Sequence, residues 1–359
     1  MADRHHGGDI YQREIAWDFS VNVNPMGPPV RVQQAIRESA DHVDCYPDPQ
    51  CRGLVQALAE YHKTEKERIV CGNGAADLIY RLAYLLKPGR ALLLAPTFSE
   101  YEQALTSVGC QVRHCRLKEE NGFQADMREL ADRTEEGDLI FLCNPNNPTG
   151  LAADVDQVER LARTCRKKKG FLILDECFCE FLEKPSEYSF MERIQDYPEA
   201  VILRAFTKSY AMAGLRLGYG VCGDRDVAER LRLTGQPWSV SIPAQEAGRA
   251  ALLETEYLEQ SRSLIAGERR RVSRRLADMG FLVFPSQVNY VLFKDVEECK
   301  HGNIGKRLQE RGFLIRDCSS FKGLEAGKED PVFCFYRIAI RRQEENNRLL
   351  DAIQGIVLS

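Results

Sequence analysis

No stretch of the 359-residue chain is apolar for long enough to cross a bilayer; runs such as Leu139–Cys143 are far too short, and no membrane is expected as a partner. The first residues, Met1–Gly8, hold no apolar core, so a secretory signal is not expected. None of the thirteen cysteines forms a C-x-x-C pair, and their number is odd. A disulfide framework and a zinc site are both disfavoured, no metal is expected, and a reducing cytoplasm fits better. Neither sign of charge dominates: 49 Lys and Arg face 53 Asp and Glu, a net charge of −4. Nucleic acid is therefore not an expected partner. Lys167-Lys168-Lys169 reads as the wet end of a helix. There is no internal repeat, no low-complexity linker, and no glycine spacing of a dinucleotide fingerprint or a nucleotide P-loop.

What is present is alternation. Apolar strands are expected at Ile69–Cys71, Ala91–Ala95, Gln111–Leu117, Asp138–Cys143, Phe171–Leu174, Val201–Leu203 and Leu217–Cys222. Helices fall between them. One carries Val155, Val158, Leu161, Ala162 and Cys165 behind an Asp154/Gln157 capping box, with Gly170 as its stop. Continuously apolar strands separated by helices imply a mostly parallel sheet covered on both faces. From about Pro243 to Leu276 one long helix is expected. Short strands and two helices follow, α+β in character. The expected division is a large α/β domain at 31–250, with 1–30 and 251–359 forming a small α+β domain and an N-terminal arm. In that arm Asn22–Pro29 cannot be helical, because prolines fix turns and extended backbone. Taken alone it reads as a surface arm rather than one folded over a pocket, where Asn22 and Asn24 would offer polar contacts.

Open parallel sheets bind ligands beyond the carboxyl ends of their strands. Asn147, Asp175 and Lys208 each follow a strand end and so share one crevice. Ile69–Cys71, Gly72-Asn73-Gly74 and the helix after it form a strand, glycine turn and helix, which aims N–H groups at an anion. Pyridoxal phosphate makes four demands: an amine for its aldehyde, a carboxylate for its ring nitrogen, donors for its phosphate, and a wall for its ring. The candidates are Lys208 for the amine and Asp175 for the carboxylate. Gly74, Ala75, Ala76, Thr207 and Arg216 would form the phosphate cup, Phe98 the wall, and Asn147 a donor to the phenolic oxygen.

Asn144–Gly150, Asp175-Glu176 and Thr207-Lys208 through Ala213-Gly214-Leu215-Arg216 together resemble fold-type I pyridoxal-phosphate enzymes of the class I/II aminotransferase family, over essentially the whole chain. The resemblance implies the aspartate aminotransferase fold, with Lys208 as the Schiff-base lysine. It also implies a homodimer, because Tyr46 matches a tyrosine that reaches the neighbouring subunit's cofactor phosphate. Arg337 matches the arginine that holds the substrate carboxylate. Two branches compete. His6-Gly7-Gly8, Phe19–Pro25, Pro96–Tyr101, Phe178 and Ile315–Phe321 resemble the threonine-phosphate decarboxylase branch, which serves cobalamin side-chain synthesis. The other branch is histidinol-phosphate aminotransferase. The segment from Gly8 to Asp18 is shorter than in the decarboxylases, and Ala205 stands where Ser or Thr often meets the cofactor phosphate. The expected substrate is a small phosphorylated amino acid, held by His6, Asn24, Asn147, Arg316 and Arg337. Both reactions use Lys208, and the sequence leaves open whether the carboxylate or the hydrogen leaves Cα. A catalytically silent cofactor-binding regulator is disfavoured by the intact Lys208 and Asp175.

Overall fold

The computed structural model describes residues 7–11, 14–295, 301–325 and 335–358. Strand β1 is Trp17–Asp18. The main sheet takes β2 (Ile69–Gly72), β3 (Arg90–Ala95), β4 (Gln111–Arg116), β5 (Leu139–Cys143), β6 (Phe171–Asp175), β7 (Ala200–Ala205) and β8 (Gly218–Cys222). The later strands are β9 (Leu282–Val283), β10 (Tyr290–Lys294), β11 (Phe313–Leu314), β12 (Arg316–Asp317) and β13 (Phe335–Ala339).

The main sheet runs in the order β2-β8-β7-β6-β5-β3-β4. From β7 to β4 all neighbours are parallel, and β8 runs against both of its neighbours. Sequence explains the order of burial. Strands β5 and β7 are buried along their whole length and β6 at all but Phe171, as central strands covered on both faces must be. Strand β4 carries Gln111, Arg113, His114 and Arg116, polar residues suited to an edge that must not recruit another strand. Alternate residues feed two cores. Leu92, Ile140, Leu172 and Ile202 face one layer of helices, while Leu93, Phe141, Ile173 and Val201 face the other.

A second sheet, β12-β13-β10-β9, is antiparallel. It forms a third core with the helices Tyr257–Asp278 and Gln343–Val357. Phe19 of the N-terminal arm is buried in that core, and β1 pairs with β11.

Two expectations need correction. The long helix from Pro243 to Leu276 is two helices, Ile242–Ala251 and Tyr257–Asp278. Between them Leu253 and Glu254 donate to Ala250 and Ala251 in tight three-residue turns, which end the first helix. The break allows the first helix to pack near Val30–Ser39 while the second serves the smaller sheet. The helix Val155–Lys167 is capped by Asp154, which accepts from the Gln157 N–H at 2.8 Å. Its left-handed exit residue, however, is Lys169 at φ 51°, not Gly170. Gly170 serves close approach instead, since a Cβ there would stand 2.5 Å from the Asp138 carbonyl oxygen.

Candidate functional site

A cavity of about 430 Å³ opens at the carboxyl ends of β5, β6 and β7. Cys143 ends β5, Asp175 ends β6 in register with it, and Ala205 ends β7. The chain then makes one helical turn, Phe206–Ser209, which delivers Thr207 and Lys208 to the cavity wall. Burial, helped by the nearby charges of Arg337 and Arg216, pulls the Lys208 ammonium down to about 8. Such an amine is partly neutral near neutral pH and available as a nucleophile.

Asp175 is held from two sides. Its Oδ2 accepts the Tyr101 hydroxyl at 2.6 Å, and its Oδ1 accepts the Cys177 N–H at 3.0 Å. The thiols of Cys143 and Cys177 also line the cavity, and burial first, then Asp175, pushes both upward, so they stay neutral. Phe98 lines the same wall and meets Tyr101 edge-on, with ring centroids 5.5 Å apart.

The helix Ala75–Leu86 brings its N-terminal end to the cavity, where Ala75, Ala76 and Arg216 are lining residues. Gly74 is not a lining residue, yet it shapes this end. It has φ +82°, a conformation natural only to glycine, and a Cβ there would stand 2.9 Å from an Arg216 guanidinium nitrogen. Arg216, itself left-handed at φ 56°, lies across that vacant space. The Thr207 hydroxyl bonds the Leu217 carbonyl at 3.4 Å, tying this turn to the strand that follows Arg216.

The arm covers the cavity. Gly7, Ser20, Val21 and Asn22 line it, so the stretch read alone as a surface arm is an arm over a pocket. Asn22 Oδ1 is buried there without a partner among the described residues. Asn24, expected at the substrate, is not in the lining. Its amide is spent on the chain: Nδ2 donates to the Ser209 carbonyl at 2.8 Å, and Oδ1 accepts from the Met26 N–H at 3.0 Å. His6 lies outside the described residues. Tyr46 is 79% exposed, set against the Trp238 ring at 4.8 Å, and is not a lining residue within one chain.

The smaller sheet closes the cavity with two arginines. Arg316 and Arg337 are direct cross-strand partners on β12 and β13, and both line the cavity. Arg337 donates to Asn147 Oδ1 and, at 2.8 Å, to the Ser20 carbonyl; its Nε is buried without a partner among the described residues. Arg316 donates to Ser320 Oγ at 2.8 Å and lies over the Phe321 ring.

Sequence reading missed Tyr101, Ser20, Cys143, Cys177 and Phe321.

The residues present fit pyridoxal phosphate. One cavity is lined by a helix N-terminus and an arginine, an amine, a carboxylate held by two donors, and an aromatic ring. No group of three His, Cys, Asp or Glu side chains among the described residues is placed to hold a metal ion. No described helix is long and apolar enough to cross a membrane.

Comparisons with known proteins agree with this geometry. The family model for aminotransferase class I and II matches residues 14–353. The threonine-phosphate decarboxylase of Salmonella typhimurium is 36% identical, over 98% of this chain and 96% of that protein. The crystal structure of the histidinol-phosphate aminotransferase from Clostridium acetobutylicum is 30% identical with a TM-score of 0.86, covering 95% of this chain and 99% of that one. That of the Sinorhizobium meliloti histidinol-phosphate aminotransferase, in complex with pyridoxal-5'-phosphate, is 25% identical with a TM-score of 0.84, covering 96% and 92%. The cavity at the strand ends and the match over nearly the whole chain lead to one conclusion: the chain belongs to the aminotransferase class I and II family.

Proposed function

We propose that the chain is a pyridoxal-phosphate-dependent enzyme that removes carbon dioxide from a small O-phosphorylated amino acid, best matched by L-threonine O-3-phosphate. The observation that carries this reading is the buried cross-strand pair Arg316 and Arg337, open on one cavity together with Lys208. Like charges set directly opposite on a sheet oppose pairing, so two buried arginines in register suit anions placed beside them. A substrate with a carboxylate and a phosphate supplies two. The Salmonella relative named as a threonine-phosphate decarboxylase supports the same choice.

Each side chain then has a task. Arg216, Thr207 and the N–H groups of Ala75 and Ala76 hold the cofactor phosphate. Asp175 would accept from the ring nitrogen, and Phe98 would pack on the ring. Lys208 would hold the aldehyde through its amine and be released when the substrate's amine takes its place. When bound, the cofactor supplies an electron sink conjugated to the substrate's α-carbon. Arg337, oriented by Asn147 and Ser20, holds the substrate carboxylate, while Arg316 takes the phosphate. Lys208 would then carry a proton as its ammonium, available because burial brings its affinity down to about 8, and would deliver it to Cα in place of the carboxylate lost as carbon dioxide. The arm residues Ser20 to Asn22 keep water out. The enzyme is a cytoplasmic homodimer in this reading, with Tyr46 reaching the partner's cofactor phosphate.

The second reading, amino transfer of the histidinol-phosphate type, is favoured by the close structural match to the Clostridium enzyme. It uses the same Lys208 as the base that takes a proton from Cα. Cofactor-loaded protein incubated with L-threonine O-3-phosphate should release carbon dioxide with no keto-acid acceptor present. Glutamate formed from histidinol phosphate and 2-oxoglutarate, without carbon dioxide release, would establish the second reading instead. Lys208→Ala should abolish turnover; normal activity in that variant refutes both mechanisms.

A further inference from the structure

Tyr101 is among the largest fully buried side chains of the protein, and it lines the cavity. It is the second residue of the helix Glu100–Ser107. Its ring stacks on Phe141 of β5, with centroids 4.5 Å apart and planes 10° from parallel. Phe98 meets it edge-on from the other side. With the ring fixed by these two contacts, its hydroxyl has one direction, and it donates to Asp175 Oδ2 at 2.6 Å. That length is characteristic of an O–H donor to an ionised acceptor. Burial first, and then the Asp175 charge, raise the phenol well above its ordinary range, so it remains a donor and does not become a second anion.

The carboxylate it meets has little freedom left. Asp175 Oδ1 is taken by the Cys177 N–H, and the residue is 6% exposed. Each carboxylate oxygen has a second lone-pair site. With one O–H or N–H donor fixed on each oxygen and only the weakly donating Cys177 thiol beside them, the remaining acceptor capacity is left for the cavity. We infer that Tyr101 is a positioning residue, which fixes the Asp175 carboxylate as the acceptor for the cofactor's ring nitrogen. This inference rests on the pyridoxal-phosphate reading above. It gives the Pro96–Tyr101 segment two tasks from one turn of chain: Phe98 makes the ring wall, and Tyr101 sets the carboxylate behind the ring.

The test is Tyr101→Phe, which keeps the stacked ring and removes only the hydroxyl. Apo protein is titrated with pyridoxal phosphate and, separately, with an analogue carrying carbon in place of the ring nitrogen. Binding is read from the visible absorption of the bound cofactor. Tyr101→Phe should weaken pyridoxal phosphate roughly tenfold, the low end for losing one hydrogen bond to a charged group. It should leave affinity for the analogue unchanged, because the analogue has no ring N–H for Asp175 to accept. The two affinities are compared within each protein, so a variant of lowered stability still gives an answer. An equal loss for both cofactors would assign Tyr101 a merely structural role and overturn the inference, as would no loss for either. Failure of the unaltered protein to bind pyridoxal phosphate at all would overturn the underlying reading instead.

Discussion

Arg316 and Arg337 show how a residue's energetics disclose its task. Both are more than nine-tenths buried, and they face each other across β12 and β13. Their hydrogen-bond partners among the described residues are neutral: Ser320, Asn147 and the Ser20 carbonyl. The aromatic rings of Phe321 and Tyr290 add cation–π contact. No carboxylate among the described residues makes a salt bridge to either, and only Asp18 on Arg337 and Asp317 on Arg316 act through space. The ligand-free protein thus carries a like-charge pair that an anionic substrate would relieve. Arg316→Gln keeps a donor for Ser320 and removes one charge. The unfolding free energy of the ligand-free variant should be unchanged or up to about 1 kcal/mol higher. With the Arg216 end of the cavity first filled by pyridoxal phosphate, millimolar inorganic phosphate should raise the melting temperature of the unaltered protein and do little for the variant. A variant that is destabilised yet keeps the full phosphate response would show that Arg316 serves the fold and not the substrate.

At the scale of elements, the turn between β2 and the helix Ala75–Leu86 is the part of the site that the backbone itself builds. Gly74→Ala forces a side chain into φ +82° and ψ 163°, a region essentially reserved for glycine, at a cost of about 1–3 kcal/mol. Its Cβ also displaces the Arg216 guanidinium. The variant should lose affinity for pyridoxal phosphate at least about tenfold, the scale of one charge-assisted bond, while affinity for pyridoxal, which lacks the phosphate, changes little. Equal losses for the two would mean that this turn does not serve the phosphate. Much of this level is legible in sequence, because local signals dictate it. The buried strands, the Asp154 cap, and the placement of Asn147, Asp175 and Lys208 at or beyond strand ends all follow from periodicity and turn chemistry. Contacts between distant segments are not legible. Nothing local says that the helix from residue 242 breaks after Ala251, or that Tyr101 reaches Asp175 across β5. Nor does anything local give the partner of the Asn24 amide, the Ser209 carbonyl, which lies 185 residues away.

The whole molecule depends on that arm. Phe19 is buried in the core of the smaller sheet, while Asn24 is bonded to the Lys208 turn of the main sheet through its amide and, at 3.0 Å, its backbone N–H. Between them the Ser20 carbonyl accepts from Arg337. Farther on, Arg342 donates to the Pro25 and Met26 carbonyls, and the Tyr257 hydroxyl to the Gly27 carbonyl. The arm therefore ties two hydrophobic cores together and roofs the cavity between them. Asn24→Ala removes a buried donor and leaves the Ser209 carbonyl unsatisfied, which should cost about 1–3 kcal/mol. The expected consequence reaches beyond the site, because a clasp between cores sets their cooperativity. Trp17 of β1 packs against the core of the smaller sheet and reports on it. With Trp238 replaced by Phe in both proteins, Trp17 fluorescence and far-UV circular dichroism are followed through a denaturant titration. The two signals should share one midpoint when Asn24 is present. In Asn24→Ala the Trp17 midpoint should come first, since the smaller core has lost the side-chain part of its tie while the main sheet keeps its own packing. Coincident midpoints in the variant, even at lowered stability, would show that the two cores are coupled through the helix packing alone and that the arm is only a roof.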